Sequence, residues 1–147
     1  MSAVKARAAR GTPRPVNLKR AYEPPARGDG TRVLVDRLWP RGLTEDQVAA
    51  DLWLKDAAPS DALRRWFGHD PRRWEGFRAK YRRELAQRAD LLERLDALRR
   101  RAPLTLVYGA RDETHNQAVV LREVLEERGR PARPTRTGPG ARKGGRP

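Results

Sequence analysis

Apolar positions along this chain follow two spacings, short consecutive or alternating runs and longer stretches of helical period. Val16 to Tyr22 alternates, with Val16, Leu18, Arg20 and Tyr22 on one side, and reads as a first strand. Turn residues follow at Glu23-Pro24-Pro25 and Gly28-Asp29-Gly30. Thr31 to Asp36, with Val33-Leu34-Val35 consecutive, reads as a strand buried on both faces. Leu52 to Lys55 is a third strand, with a helix extending from 45 as the competing reading, and Leu104 to Tyr108, introduced by Pro103, is the last.

Helix starts are marked by their caps. Thr44-Glu45-Asp46-Gln47 is a capping box, in which the hydroxyl and the amide each satisfy an orphan backbone N–H. Ser60 caps a helix that Gly68 ends, and Asp70-Pro71 opens another with proline at its first position. From there Trp74, Phe77, Tyr81, Leu85, Leu92, Leu95 and Leu98 fall near one stripe, interrupted at Arg88 and Ala89, which predicts one long amphipathic helix over 72–100. Thr114-His115-Asn116-Gln117 repeats the capping pattern before Leu121, Val124 and Leu125. Strands alternating with helices predict an α/β fold: a small, mostly parallel sheet of about four strands flanked by helices, three-layered in the Rossmann or flavodoxin manner.

Charge divides the chain unevenly. Of the formal excess of +14, eleven charges lie in 1–15 and 128–147, which contain no acid, while all nine aromatic residues fall between Tyr22 and Tyr108. The expected organisation is therefore a disordered basic tail over 1–15, one domain over 16–127 and a second disordered basic tail over 128–147. No apolar run approaches the ~20 residues of a membrane span, and the N-terminus lacks a signal-peptide core, so a cytoplasmic protein with no membrane partner is expected. With no Cys and only His69 and His115, thiolate chemistry and an all-imidazole metal site are excluded, and no metal ligands are assigned. The cofactor is left open. Phosphate loops, GxGxxG, H-E-x-x-H and GxSxG are all absent.

In a parallel sheet, ligands collect beyond the carboxyl ends of the strands. Those ends hold Lys19, Arg20 and Tyr22; Asp36, Arg37, Trp39, Arg41 and Gly42; Lys55; and Asp112, His115 and Asn116. Arg37 and Arg41 suit a phosphate or carboxylate through bidentate donors, and Gly42 permits close backbone approach. Asp36, Asp112 and His69 are the candidate acid–base groups. Strand parity turns Arg20 toward the apolar side, where it needs a carboxylate, with Asp36 and Asp112 the candidates. The large aromatic set Trp53, Trp66, Trp74, Phe77 and Tyr81 reads mainly as core.

The segments VNLKRAYEPP, GTRVLVDRLWPRGL, DLWLKDAAPSDALRRWFGHDPRRWEGFRAKYRREL and LTLVYGARDETHNQAVVLREVL resemble the YeaO-like family, domain of unknown function 488 (DUF488). Gly109 departs from that pattern. The resemblance implies a compact bacterial α/β domain and brings no established reaction. Three readings follow: binding or processing of a small anionic, phosphate- or nucleotide-bearing ligand at the strand ends; non-specific nucleic-acid binding through the basic tails; or a structural, partner-binding role.

Overall fold

A computed structural model describes residues 14–128. Four parallel strands, β1 (Val16–Arg20), β2 (Thr31–Leu34), β3 (Leu52–Trp53) and β4 (Leu104–Tyr108), lie in the order β1-β4-β2-β3. Five α-helices accompany them among the described residues: α1 (Glu45–Val48), α2 (Asp61–Phe67), α3 (Trp74–Ala86), α4 (Ala89–Arg101) and α5 (Gln117–Arg128). The fold is α/β, as the alternation of strand and helix patterns implies. β4 is buried along its whole length because it has strands on both sides and cover on both faces.

The two faces of the sheet are covered differently. Val16, Val33, Val35 and Leu106 join Phe67, Phe77, Tyr81, Leu85, Leu92, Leu95, Leu121 and Leu125 in the main core, so the longer helices stack on this face. Opposite it, Ala21, Leu34 and Val107 pack against Val48 of α1, Trp39, Leu43 and Trp53. The β1–β2 connection crosses this second face. It is pinned there where the Thr105 hydroxyl donates to Asp29 O at 2.7 Å.

The caps act locally, as their chemistry requires. Thr44 Oγ1 accepts from Gln47 N at 3.1 Å while Gln47 Oε1 accepts from Thr44 N at 2.8 Å. Ser60 Oγ accepts from Leu63 N, and Gly68 ends α2 in the left-handed region with φ 54°. Asp70 caps only a single 3-10 turn, Pro71–Arg73, ahead of α3.

The long helix expected over 72–100 is two helices. A straight helix of that span would run about 43 Å, far beyond five-residue strands of roughly 17 Å, so it must fold back to stay on the sheet. The break comes at Arg88, whose φ of −122° and ψ of 52° are not helical. Its guanidinium donates to Asp56 O and Ala58 O at 2.5 and 2.7 Å, tying the elbow to the turn after β3. β2 also stops two residues short of its expected end, which frees Val35 and Asp36 from the β2–β3 ladder.

Most of the expected basic tails, 1–13 and 129–147, lies outside the described residues. Within them, Arg14 O accepts from Arg99 Nε at 2.9 Å, and Arg128 pairs with Asp96 at 2.7 Å at the end of α5.

Candidate functional site

A cavity of about 280 Å³ opens beyond the carboxyl ends of the strands. It sits between the segment after β2, the turn after β3, the α2–α3 junction and the turn before α5. Its interior is apolar, formed by Pro40, Ala58, Pro59, Phe67 and Phe77. Phe67 and Phe77 stack at 4.3 Å between centroids, fixing this floor against the main core. Its rim is cationic and polar: Arg37, Arg41, Arg64, His69, His115, Asn116 and Gln117.

Asp36 is the junction of the site. Its Oδ2 accepts from Gly109 N at 2.9 Å and its Oδ1 from Gln117 Nε2 at 2.5 Å, so one carboxylate joins the ends of β2 and β4 to the start of α5. Burial pushes its carboxyl up from the ordinary value, and those two donors and the His69 charge only partly counteract this. Gly109 lets the carboxylate sit close, because a Cβ there would lie 2.8 Å from Asp36 Oδ2 and the Asp36 side chain would have to shift.

The loop after β2 is braced from behind. Trp53 Nε1 donates to Asp36 O and Trp39 Nε1 to Leu43 O, both at 2.7 Å, and the two indoles meet edge to face at 5.2 Å. Lys55 lies over the Trp53 ring at 4.3 Å, so its ammonium supports this column and does not line the cavity. Gly42 turns the loop with φ 82° and also stands outside the lining. From the β1 side, the Tyr22 hydroxyl donates to Arg41 O at 2.9 Å. Arg20 donates from Nε to Ala110 O at 2.9 Å and rests over the Tyr22 ring at 4.9 Å. The carboxylate partner expected for Arg20 is thus replaced, among the described residues, by a carbonyl and an aromatic face, which suffice because the side chain is only half buried.

Arg37 is held loosely. Its Nη2 lies 3.4 Å from Pro59 O and its Nε 3.5 Å from Asp61 Oδ1, and Nε is buried without a hydrogen-bond partner. Arg64 shares Asp61 at 3.4 Å and is about half exposed. Apart from the buried Arg37 Nε and the Arg64 Nη2 bond to Asp61, the guanidinium donors of both lack strong partners.

Across the opening, Asp112 and His115 form a pair. Asp112 Oδ2 lies 2.9 Å from His115 Nδ1, while Oδ1 accepts from the backbone N–H groups of Thr114 and His115, each at 3.0 Å. Those backbone donors, with the imidazole and the Thr114 hydroxyl, hold the Asp112 carboxyl down at about 2. The carboxylate can only accept, so the proton on Nδ1 faces Asp112 and Nε2 is left toward the cavity. Trp74 meets the imidazole edge to face at 5.2 Å and fixes its plane. Asp112 itself stands behind His115, outside the lining. Asn116, not Thr114, caps α5: its Oδ1 accepts from Val119 N and its Nδ2 donates to Asp112 O at 2.8 Å.

Among the residues singled out from the sequence, the fold gathers Tyr22, Asp36, Arg37, Trp39, Arg41, His69, His115 and Asn116 around one cavity. Lys19 goes elsewhere. It lies on the opposite face, paired with Asp29 at 3.1 Å. Gln117, Arg64 and Pro59 were not singled out. The signal for the last two was the Pro59-Ser60 helix start, which follows β3 and so also marks a strand end. Among the described residues no three His, Cys, Asp or Glu side chains gather as a metal site, and no helix is long and apolar enough to cross a membrane.

Comparison with known proteins places this chain in a family. The chain is 42% identical over 110 residues to the uncharacterized protein YeaO of Escherichia coli K12, covering 75% of this chain and 96% of that one. It is 41% identical over 113 residues to the uncharacterized protein Rv3073c of Mycobacterium tuberculosis H37Rv, covering 77% and 95%. No solved structure matches significantly. A family model described as the inactive DUF488-N3 subclade matches residues 15–137, and with these relatives it shows that the chain is a YeaO-like member of the DUF488 family.

Proposed function

We propose that the strand-end cavity is a binding site for a small molecule with an anionic group, such as a phosphate or nucleotide, and that the domain binds this ligand without converting it. The observation that carries the reading is an imbalance of charge. Arg37, Arg41 and Arg64 converge on an apolar floor whose one lining carboxylate, Asp36, already accepts two internal hydrogen bonds. An anion entering here meets donors that lack strong partners, and the positive end of α5 adds to them. Phe67, Phe77 and the two prolines suit a flat or apolar portion of the same ligand.

Binding without turnover is supported from two sides. The family model is described as inactive. The lining also contains neither Ser, Thr nor Cys, and its one hydroxyl, on Tyr22, is engaged with Arg41 O. In this reading His115, oriented by Asp112, serves as a hydrogen-bond partner to the ligand, and Asp36 shapes the site.

The test is calorimetric titration of the full chain with nucleotides, sugar phosphates and inorganic phosphate, with the bound ligand followed by phosphorus NMR. The expected result is saturable binding that Arg37→Ala weakens by about tenfold, in keeping with loss of a charge-assisted hydrogen bond, while the ligand stays intact. No binding by any of these anions, or equal binding by the variant, would refute the reading; conversion of the ligand would refute its non-catalytic part.

A further inference from the structure

We propose that the shallow groove between α2 and α3, centred on Trp66, is a docking surface for single-stranded nucleic acid, separate from the strand-end cavity. Trp66 is 39% exposed, although the other three tryptophans are at least partly packed. Its position is nevertheless fixed. Gly76, in the first turn of α3, leaves room for the indole: a Cβ there would lie 2.8 Å from Trp66 Cη2. Lys80 and Arg73 approach the ring at 5.2 and 5.3 Å from its centroid. The fold thus seats an aromatic face at the surface and surrounds it with cations.

The charge around it is in excess. Residues 60–88 carry nine Arg and Lys against four Asp and Glu. Six of the nine lie within ion-pairing distance of a carboxylate. Among the described residues, Arg65, Lys80 and Arg83 do not, and the last two line the Trp66 groove. The one acid lining it, Glu84, is turned inward, accepting from Ser60 N at 2.9 Å and Ser60 Oγ at 2.6 Å.

A fixed aromatic ring with free cations beside it matches the repeating unit of a single strand, a base to stack and a phosphate to neutralise. On binding, Lys80 moves from the ring to a phosphate and leaves the ring face to a base. A lipid surface fits less well. The other exposed large apolar residues, Tyr22 and Leu38, line the strand-end cavity, so a membrane would gain a single anchor here. An acidic protein would satisfy the cations without calling for an exposed ring face between them. The eleven excess charges in 1–15 and 128–147 favour the same polyanion.

The experiment is fluorescence anisotropy of the full chain with a labelled oligothymidine of about 20 nucleotides over a range of salt, with thermal melts confirming that each variant is folded. Trp66→Ala is expected to weaken binding about tenfold and Trp66→Phe by less than about twofold, because any aromatic face can stack. Lys80→Ala/Arg83→Ala is expected to lower the slope of log affinity against log salt by about 1.4, the value for two phosphates on a single strand. Unchanged affinity and slope in these variants would overturn the proposal and assign binding to the terminal charges. Absence of binding at low salt would overturn it, as would competition by anionic phosphatidylserine vesicles that itself depends on Trp66.

Discussion

Two clusters of charge are built on the same sheet, and they are finished differently. On the second face, between the end of β1 and the start of β2, Asp29 lies between Lys19 and Arg32 at 3.1 and 2.6 Å. Arg32 is 4% exposed and also donates to Val48 O and Ala49 O, while Asp29 takes a further bond from Ala26 N. These bonds hold the Asp29 carboxyl below its ordinary value in spite of burial, the largest and opposing influence. At the strand ends, by contrast, Arg37 makes only contacts of 3.4 and 3.5 Å, and Arg41 is exposed over a cavity. Saturation marks the first cluster as scaffold. Loose pairing around a void distinguishes the second, and the proposed ligand site rests on that difference.

Substitutions separate the two. Arg32→Ala removes the closest of Asp29's donors and the side-chain donor of the Val48 and Ala49 carbonyls, and about 3–5 kcal/mol of stability should be lost in urea unfolding, as for other broken buried pairs. A loss under about 1 kcal/mol would show that the cluster is wetter than described. Gly109→Ala should come next. Its Cβ displaces Asp36 Oδ2 from a 2.9 Å bond, with an expected cost of about 1–2 kcal/mol and weaker ligand binding, since Asp36 lines the cavity. Unfolding and titration of the same sample would report both.

Arg37→Ala should reverse the order of effects seen at Arg32. Its stability should change by less than about 1 kcal/mol, because the contacts it loses are long, while ligand affinity falls. A large loss of stability would move Arg37 into the scaffold. The smallest effect is expected at Asp112, which is partly exposed. Its folded carboxyl titrates at about 2 against an ordinary 3.8, so the stability it contributes is present above pH 3.8 and is lost as pH falls toward 2. Asp112→Asn should therefore be less stable than the parent at neutral pH, with the gap closing as pH falls through that window. A gap independent of pH would remove the carboxylate charge from the explanation.

Local chemistry was readable from the chain alone. The Thr44 box, the Ser60 cap and the Gly68 stop each depend on residues within four positions of one another, and each formed. The strand-end rule likewise led to Asp36, Arg37 and Arg41, because parallel topology decides where such segments emerge. The fate of Lys19 was not readable: parity turns it away from Leu18 and Arg20, but its partner Asp29 sits in a crossover turn whose path depends on strand order. Arg88 defeated the helical period for a similar reason, since its side chain answers carbonyls thirty residues earlier. Gly109 is legible only once Asp36 is seen against it.

The most direct test of the contrast is amide chemical-shift mapping by NMR as nucleotides, sugar phosphates and inorganic phosphate are titrated into the full chain. The amides of Arg37, Gly109, His115 and Gln117 should shift saturably with at least one of these anions, while those of Lys19, Asp29, Arg32 and Thr105 stay in place. Shifts concentrated at the Lys19–Asp29–Arg32 cluster, or none anywhere across the series, would contradict the account.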